Sequence, residues 1–88
     1  MPERKVEIPN PSGLHARPAK VFAEAAASAP GGVTISKGGR EVNAKSVLSV
    51  LTLDCHQGDE ILIRTEGPEG DATLEELVSL IESGLGEL

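Results

Sequence analysis

The sequence predicts an α+β domain in which helices cover one face of an antiparallel sheet. Three observations carry this. Several short stretches alternate apolar and polar residues, the periodicity of half-buried strands. Two longer stretches repeat apolar residues at helical spacing. A Gly38-Gly39 pair stands between two of the strand-like stretches and reads as a hairpin turn. Strands joined in this way, with helices making up three of the seven elements, pack most simply with the helices on one side. Each strand is then apolar inward and polar outward. The 88 residues suffice for a single domain, 1–88, around one modest core.

The elements follow in order. In residues 4–9, Val6 and Ile8 alternate with charged neighbours and make a strand, which Pro9, Pro11 and Gly13 end in a loop. From Ala16 to about Ser28 the pattern is helical, with Ala16, Ala19, Phe22, Ala23 and Ala26 on one face. Alanine has the highest helix propensity, and Pro18 is tolerated in a first turn, where its missing N–H has no intrahelical partner. Pro30-Gly31-Gly32 stops the helix. Val33-Thr34-Ile35-Ser36 and Arg40-Glu41-Val42-Asn43 are the two strands of the hairpin. Val47, Leu48, Val50, Leu51 and Leu53 fit a short helix with Ser46 as its N-cap. Asp54 to Asp59 is a loop, and Glu60 to Glu66 is the clearest strand. After the Gly67–Gly70 turn, Asp71 is placed to cap a last helix from Ala72 to about Ser83. Leu74, Leu77, Val78 and Ile81 form its buried stripe, and Gly84 stops it. The order is β-α-β-β-α-β-α.

Composition excludes several function classes. A net charge of −6 lacks the basic footprint of a nucleic-acid binder, and one aromatic residue, Phe22, offers no base-stacking platform. The single cysteine, Cys55, permits no internal disulfide and no CxxC zinc pair. Cys55 and His56 are adjacent loop residues and read as structural or incidental. Apolar runs are too short to cross a bilayer, and the charged N-terminus is unlike an export signal, so a cytoplasmic protein is expected.

Chemistry concentrates in Ser12-Gly13-Leu14-His15-Ala16-Arg17-Pro18-Ala19. His15 stands where a loop becomes a helix, and free backbone N–H groups at such a junction attract anions. A neutral imidazole can attack phosphorus through a ring nitrogen. Arg17 can hold two phosphate oxygens at once and offset the charge spread over them in the transition state. Pro18 fixes the backbone of the first turn. Gly13 supplies a turn conformation or a close approach by a partner. Ser12 can hydrogen-bond to the loop.

The chain resembles the HPr family, the histidine-containing phosphocarriers of the bacterial phosphoenolpyruvate-dependent sugar phosphotransferase system. The resemblance runs along the whole chain and rests on Gly13 to Ala19, on Asn43-Ala44-Lys45-Ser46, on the Gly58 loop and on the final helix. It implies an open-faced β-sandwich, a four-stranded antiparallel sheet covered on one face by three helices. It also implies that His15 accepts a phosphoryl group from enzyme I, through Nδ1, and passes it to the A component of a sugar permease. Arg17 would stabilise the phosphate, with Ser12, Gly13, Ala16 and Pro18 in support. Ser46 matches the family's regulatory serine, the target of a dedicated kinase and phosphatase and the point read by a transcription regulator. Lys20, Val47, Leu48 and Leu51 would dock partners.

The resemblance suggests a carrier and not an autonomous enzyme, expected as a monomer with no metal, no cofactor, no direct nucleic-acid contact and no membrane insertion. Some members ring the site with lysines where this chain has Glu24, Ala27 and Ser49; Lys20, Lys45 and Arg40 remain to supply charge. The resemblance therefore leaves partner identity open, because charge complementarity sets specificity and on-rate more than raw affinity. The same motif also fits a carrier in a nitrogen-related regulatory phosphotransfer chain. A reading from a different class is a non-catalytic module switched at Ser46.

Overall fold

The computed structural model describes residues 2–87. It contains β1 (Glu3–Glu7), α1 (Ala16–Ala27), β2 (Val33–Lys37), β3 (Arg40–Asn43), α2 (Val47–Leu51), β4 (Glu60–Thr65) and α3 (Gly70–Glu82). The four strands form one antiparallel sheet in the order β1-β4-β2-β3. This is the α+β, helices-on-one-face arrangement that the periodicity predicts.

Register decides which face is covered. Val6 pairs with Ile61 and Ile35 with Ile63, so these side chains share the inner face with Val33. Against them pack Ala19, Phe22, Ala23 and Ala26 of α1 and Leu74, Leu77, Val78 and Ile81 of α3, all buried. The outer face is mostly polar. There Arg64 of β4 pairs with Glu3 of β1 and Glu41 of β3, at 3.1 and 3.4 Å. These exposed pairs add little stability, but they suit an open sheet face. The β2–β3 turn has positive φ at both Gly38 (58°) and Gly39 (85°), the signature of a type I′ hairpin.

Two local expectations are corrected. Ala16 is exposed, and Pro18 takes its place on the buried face of α1. The cause is Ala16's left-handed backbone, φ +51°, which takes this residue out of the regular helical phase. Asp71 is not the cap of α3. The helix starts at Gly70 from a left-handed Glu69 (φ 59°), and Asp71 lies inside the first turn. Its charge still suits the positive end of the helix. Ser46 does cap α2, its Oγ accepting from Ser49 N at 3.2 Å.

Phe22 is the largest fully buried side chain, in a core that is otherwise aliphatic. Phe22→Ala is expected to cost about 3–5 kcal/mol of unfolding free energy, measured by urea denaturation. A loss under about 1 kcal/mol would mean that α1 is not seated on the sheet as described.

Candidate functional site

Two loops meet at His15, and backbone hydrogen bonds hold them together. Ile8 N donates to Asp59 O at 2.9 Å, Gly58 N to Ile8 O at 2.8 Å, and Leu14 N to Cys55 O at 3.0 Å. Gly13 is indispensable here. Its φ is +59°, and a Cβ would lie 2.2 Å from Cys55 O. The close approach is therefore made by the protein's own chain, whereas the sequence also allowed one by a partner. Asn10, fully buried, holds the turn by donating from Nδ2 to Gly13 O (2.9 Å) and to Glu87 Oε1 (2.8 Å). Ser12 donates to the same carboxylate from N (3.1 Å) and Oγ (2.7 Å). Those bonds hold the Glu87 carboxyl below its ordinary range, Asn10's first and then Ser12's.

His15 is the half-exposed N-cap residue of α1, and no side chain caps the helix's first turn. The first-turn amides that lack an intrahelical partner thus remain open to an anion, apart from Pro18, which has none. The ring lies between two acceptors, with Nδ1 3.1 Å from Ser12 O and Nε2 2.8 Å from Asp54 Oδ1. A carbonyl and a carboxylate can only accept. Both bonds are made at once only by a ring that carries both protons.

Asp54 reaches His15 from a backbone at φ +52°, a conformation Asp tolerates better than most residues. Its carboxyl is held below the ordinary range, first by the His15 hydrogen bond and then by the nearby charges of His56, His15 and Lys37. His56 stands beside it, Nε2 3.5 Å from Asp54 Oδ1, its ring centroid 5.1 Å from that of His15. Lys37 ties the loop down, donating to Asp54 O at 2.7 Å and Asp59 Oδ2 at 3.0 Å. Cys55 is buried, and burial pushes its thiol up, which makes it a packing residue and not a nucleophile. Donor atoms of His15, Asp54 and His56 all lie within 4.8 Å of one another, the one such metal-capable grouping among the described residues.

Among the described residues, no hydrogen bond or ion pair joins the other sequence candidates to the ring. Arg17 is exposed and makes no ion pair among the described residues. It lines a groove with Pro18, Val21, Leu80, Leu85, Gly86 and Glu87. Lys20 is exposed on α1. Leu48 is 77% exposed, the one large apolar side chain so open among the described residues; Val47 and Leu51 are half-buried against the core. Lys45 donates to Ala29 O at 2.9 Å and Arg40 to Thr52 O at 3.0 Å, so both are engaged with backbone carbonyls.

A family model described as the HPr component phosphorylation site of the phosphotransferase system matches residues 2–83. The chain belongs to the HPr family. The chain is 44% identical to phosphocarrier protein HPr of Streptomyces coelicolor over 89 residues, covering all of this chain and 96% of that one. It is 37% identical to the HPr-like protein Crh of Halalkalibacterium halodurans, over 93% of this chain and 98% of the relative. Among solved structures, an HPr of Thermoanaerobacter tengcongensis superposes with a TM-score of 0.97 at 38% identity, over 100% of this chain and 99% of that one. The HPr fold thus coincides with the architecture described above, and this HPr-family chain has the relatives of a phosphocarrier of the phosphotransferase system. No described helix is long and apolar enough to cross a membrane.

Asp54, His56, Asn10 and Glu87 were not singled out by the sequence as parts of this site. Glu87 gives a testable pH dependence. A carboxyl whose pKa is depressed by folding contributes stability above its unfolded value, here about 4.5, and loses it as the pH falls through the folded value. Glu87→Gln is expected to lower the thermal midpoint at pH 7, and the gap to the wild type should close as the pH drops below about 4.5. A gap independent of pH would contradict the Asn10–Ser12–Glu87 network.

Proposed function

We propose that this chain carries a phosphoryl group on His15, taken from phospho-enzyme I and passed to the A component of a sugar permease in the cytoplasm. The observation that carries the reading is the half-exposed His15 ring beside the uncapped first turn of α1, within a chain matched almost end to end by the family's phosphorylation-site model. In the transfer, a ring nitrogen first releases its proton to solvent and leaves its acceptor. Its lone pair then attacks phosphorus as the bond to the donor breaks, with that bond's electron pair remaining on the donor. The first-turn amides receive the phosphoryl oxygens, and Arg17 swings from its groove to pair with them. Asp54 is a poor neighbour for a phosphoryl group, and that repulsion favours onward transfer over retention. A single chain holds all of these groups, so the monomer is the working unit. Dimeric forms are described for HPr of Thermoanaerobacter tengcongensis and for Crh of Bacillus subtilis.

Ser46 supports a second, regulatory use. Its Oγ caps α2 directly beside exposed Leu48, and relatives include Crh, described as the catabolite repression HPr of Bacillus subtilis. A phosphate there sits at a helix start that tolerates negative charge, so the fold survives. The change falls on partners that dock over Lys20, Val47, Leu48 and Leu51: enzyme I is repelled and an arginine-bearing regulator recruited.

Incubation with phosphoenolpyruvate and enzyme I is expected to give an acid-labile phosphohistidine that His15→Ala abolishes. Arg17→Ala should slow labelling about tenfold or more, a barrier of at least ~1.4 kcal/mol. Equal labelling of His15→Ala would refute the carrier assignment. With ATP and a kinase of the family, phosphate should appear on Ser46 and be lost in Ser46→Ala; no incorporation would remove the regulatory use.

A further inference from the structure

The grouping of His15, Asp54 and His56 has the chemistry of a metal site. Both imidazoles present Nε2 to one carboxylate oxygen, Asp54 Oδ1, at 2.8 and 3.5 Å. The other nitrogen of each ring has an oxygen behind it. His15 Nδ1 faces Ser12 O at 3.1 Å, and His56 Nδ1 faces Asp59 Oδ2 at 3.8 Å. Asp59 is itself fixed by His56 N at 2.8 Å and Lys37 Nζ at 3.0 Å. Metal-bound histidines generally donate their second N–H to just such a carbonyl or carboxylate, which sets the tautomer and the ring orientation.

We infer that these three side chains bind a divalent transition ion of the zinc class, and that the bound ion excludes phosphoryl transfer at His15. Two imidazoles and one carboxylate suit zinc and its neighbours over magnesium or calcium, which prefer oxygen ligands. At zinc–ligand distances of about 2.0–2.1 Å, donors around a tetrahedral ion stand about 3.3 Å apart. The present donors lie within 4.8 Å of one another, and His56 and Asp54 are exposed, so small side-chain rotations close the shell. Water fills the fourth position.

The ion and the phosphoryl group compete through one ring. With Nε2 on the ion and Nδ1–H donating to Ser12 O, neither nitrogen keeps a lone pair to attack phosphorus. This consequence rests on the carrier reading above; the binding itself does not.

The test begins with the metal-free full chain and zinc chloride, followed by calorimetry and by the His15 and His56 ring signals in NMR. One ion per chain is expected, with both rings shifting together. His56→Gln and Asp54→Asn should each weaken binding tenfold or more while the thermal midpoint of the metal-free protein is kept. Absence of saturable uptake at millimolar zinc, or binding by His56→Gln as tight as by the wild type, would overturn the site. Zinc should also slow His15 labelling by enzyme I at least tenfold in the wild type and much less in His56→Gln, assayed side by side so that any effect on enzyme I cancels. Equal inhibition of both overturns the competition. Failure of His15 to label without zinc would count against the carrier reading alone, because the calorimetry needs no phosphoryl donor.

Discussion

The candidate functional end of this molecule depends on one contact, the seating of Gly13 and Leu14 on the backbone of Cys55. The Leu14 amide donates to Cys55 O, and Gly13 comes so near that no side chain would fit between. Everything around His15 follows. The approach fixes the height of the His15 loop over the sheet and carries Asp54 and His56, on either side of Cys55, to the imidazole. Buried Leu14 and Cys55 anchor the contact in the core, so the site is continuous with the packing that stabilises the fold.

That seating accounts for a ring held by acceptors on both sides. A carrier must take a phosphoryl group and release it, so a rigid phosphate cradle would defeat it. In the resting state His15 is occupied by Ser12 O and Asp54, Arg17 lies in a neighbouring groove, and the helix amides stand open. Two of the four non-glycine residues with positive φ among the described residues, Ala16 and Asp54, lie there, one on each of the two loops that meet at the imidazole. The left-handed turn at Ala16 rotates it outward and leaves Pro18 to fill the buried face.

The fold was legible because its signals are local. Alternation in Glu60–Thr65, the alanine face of α1, Gly38-Gly39 and the Ser46 cap each act within a few residues, and the structure agrees with them. Placement of the α3 start was missed by two residues, since a left-handed Glu69 is not a preference that sequence advertises. His15 and Arg17 were singled out from their run; the structure places His15 between the two loops and Arg17 in a neighbouring groove. Asp54 and His56 were not singled out, because they come to His15 only after β1 and β4 pair in register and Gly13 meets Cys55. The sequence read Cys55 and His56 alike as structural or incidental, whereas the fold buries Cys55 and brings His56 beside Asp54 and His15. Glu87 reaches Asn10 from 77 residues away, a distance over which no local pattern operates.

Native-state hydrogen exchange at the Leu14 amide tests the seating most directly. A loop amide with no tertiary partner exchanges through local fraying, whereas one locked to Cys55 O opens only with the surrounding core. Leu14 N–H should exchange as slowly as the amides of Ile61 and Ile63 in β4, while the uncapped Arg17 amide exchanges fast. Rapid exchange at Leu14, matching Arg17, would contradict a site built on that contact.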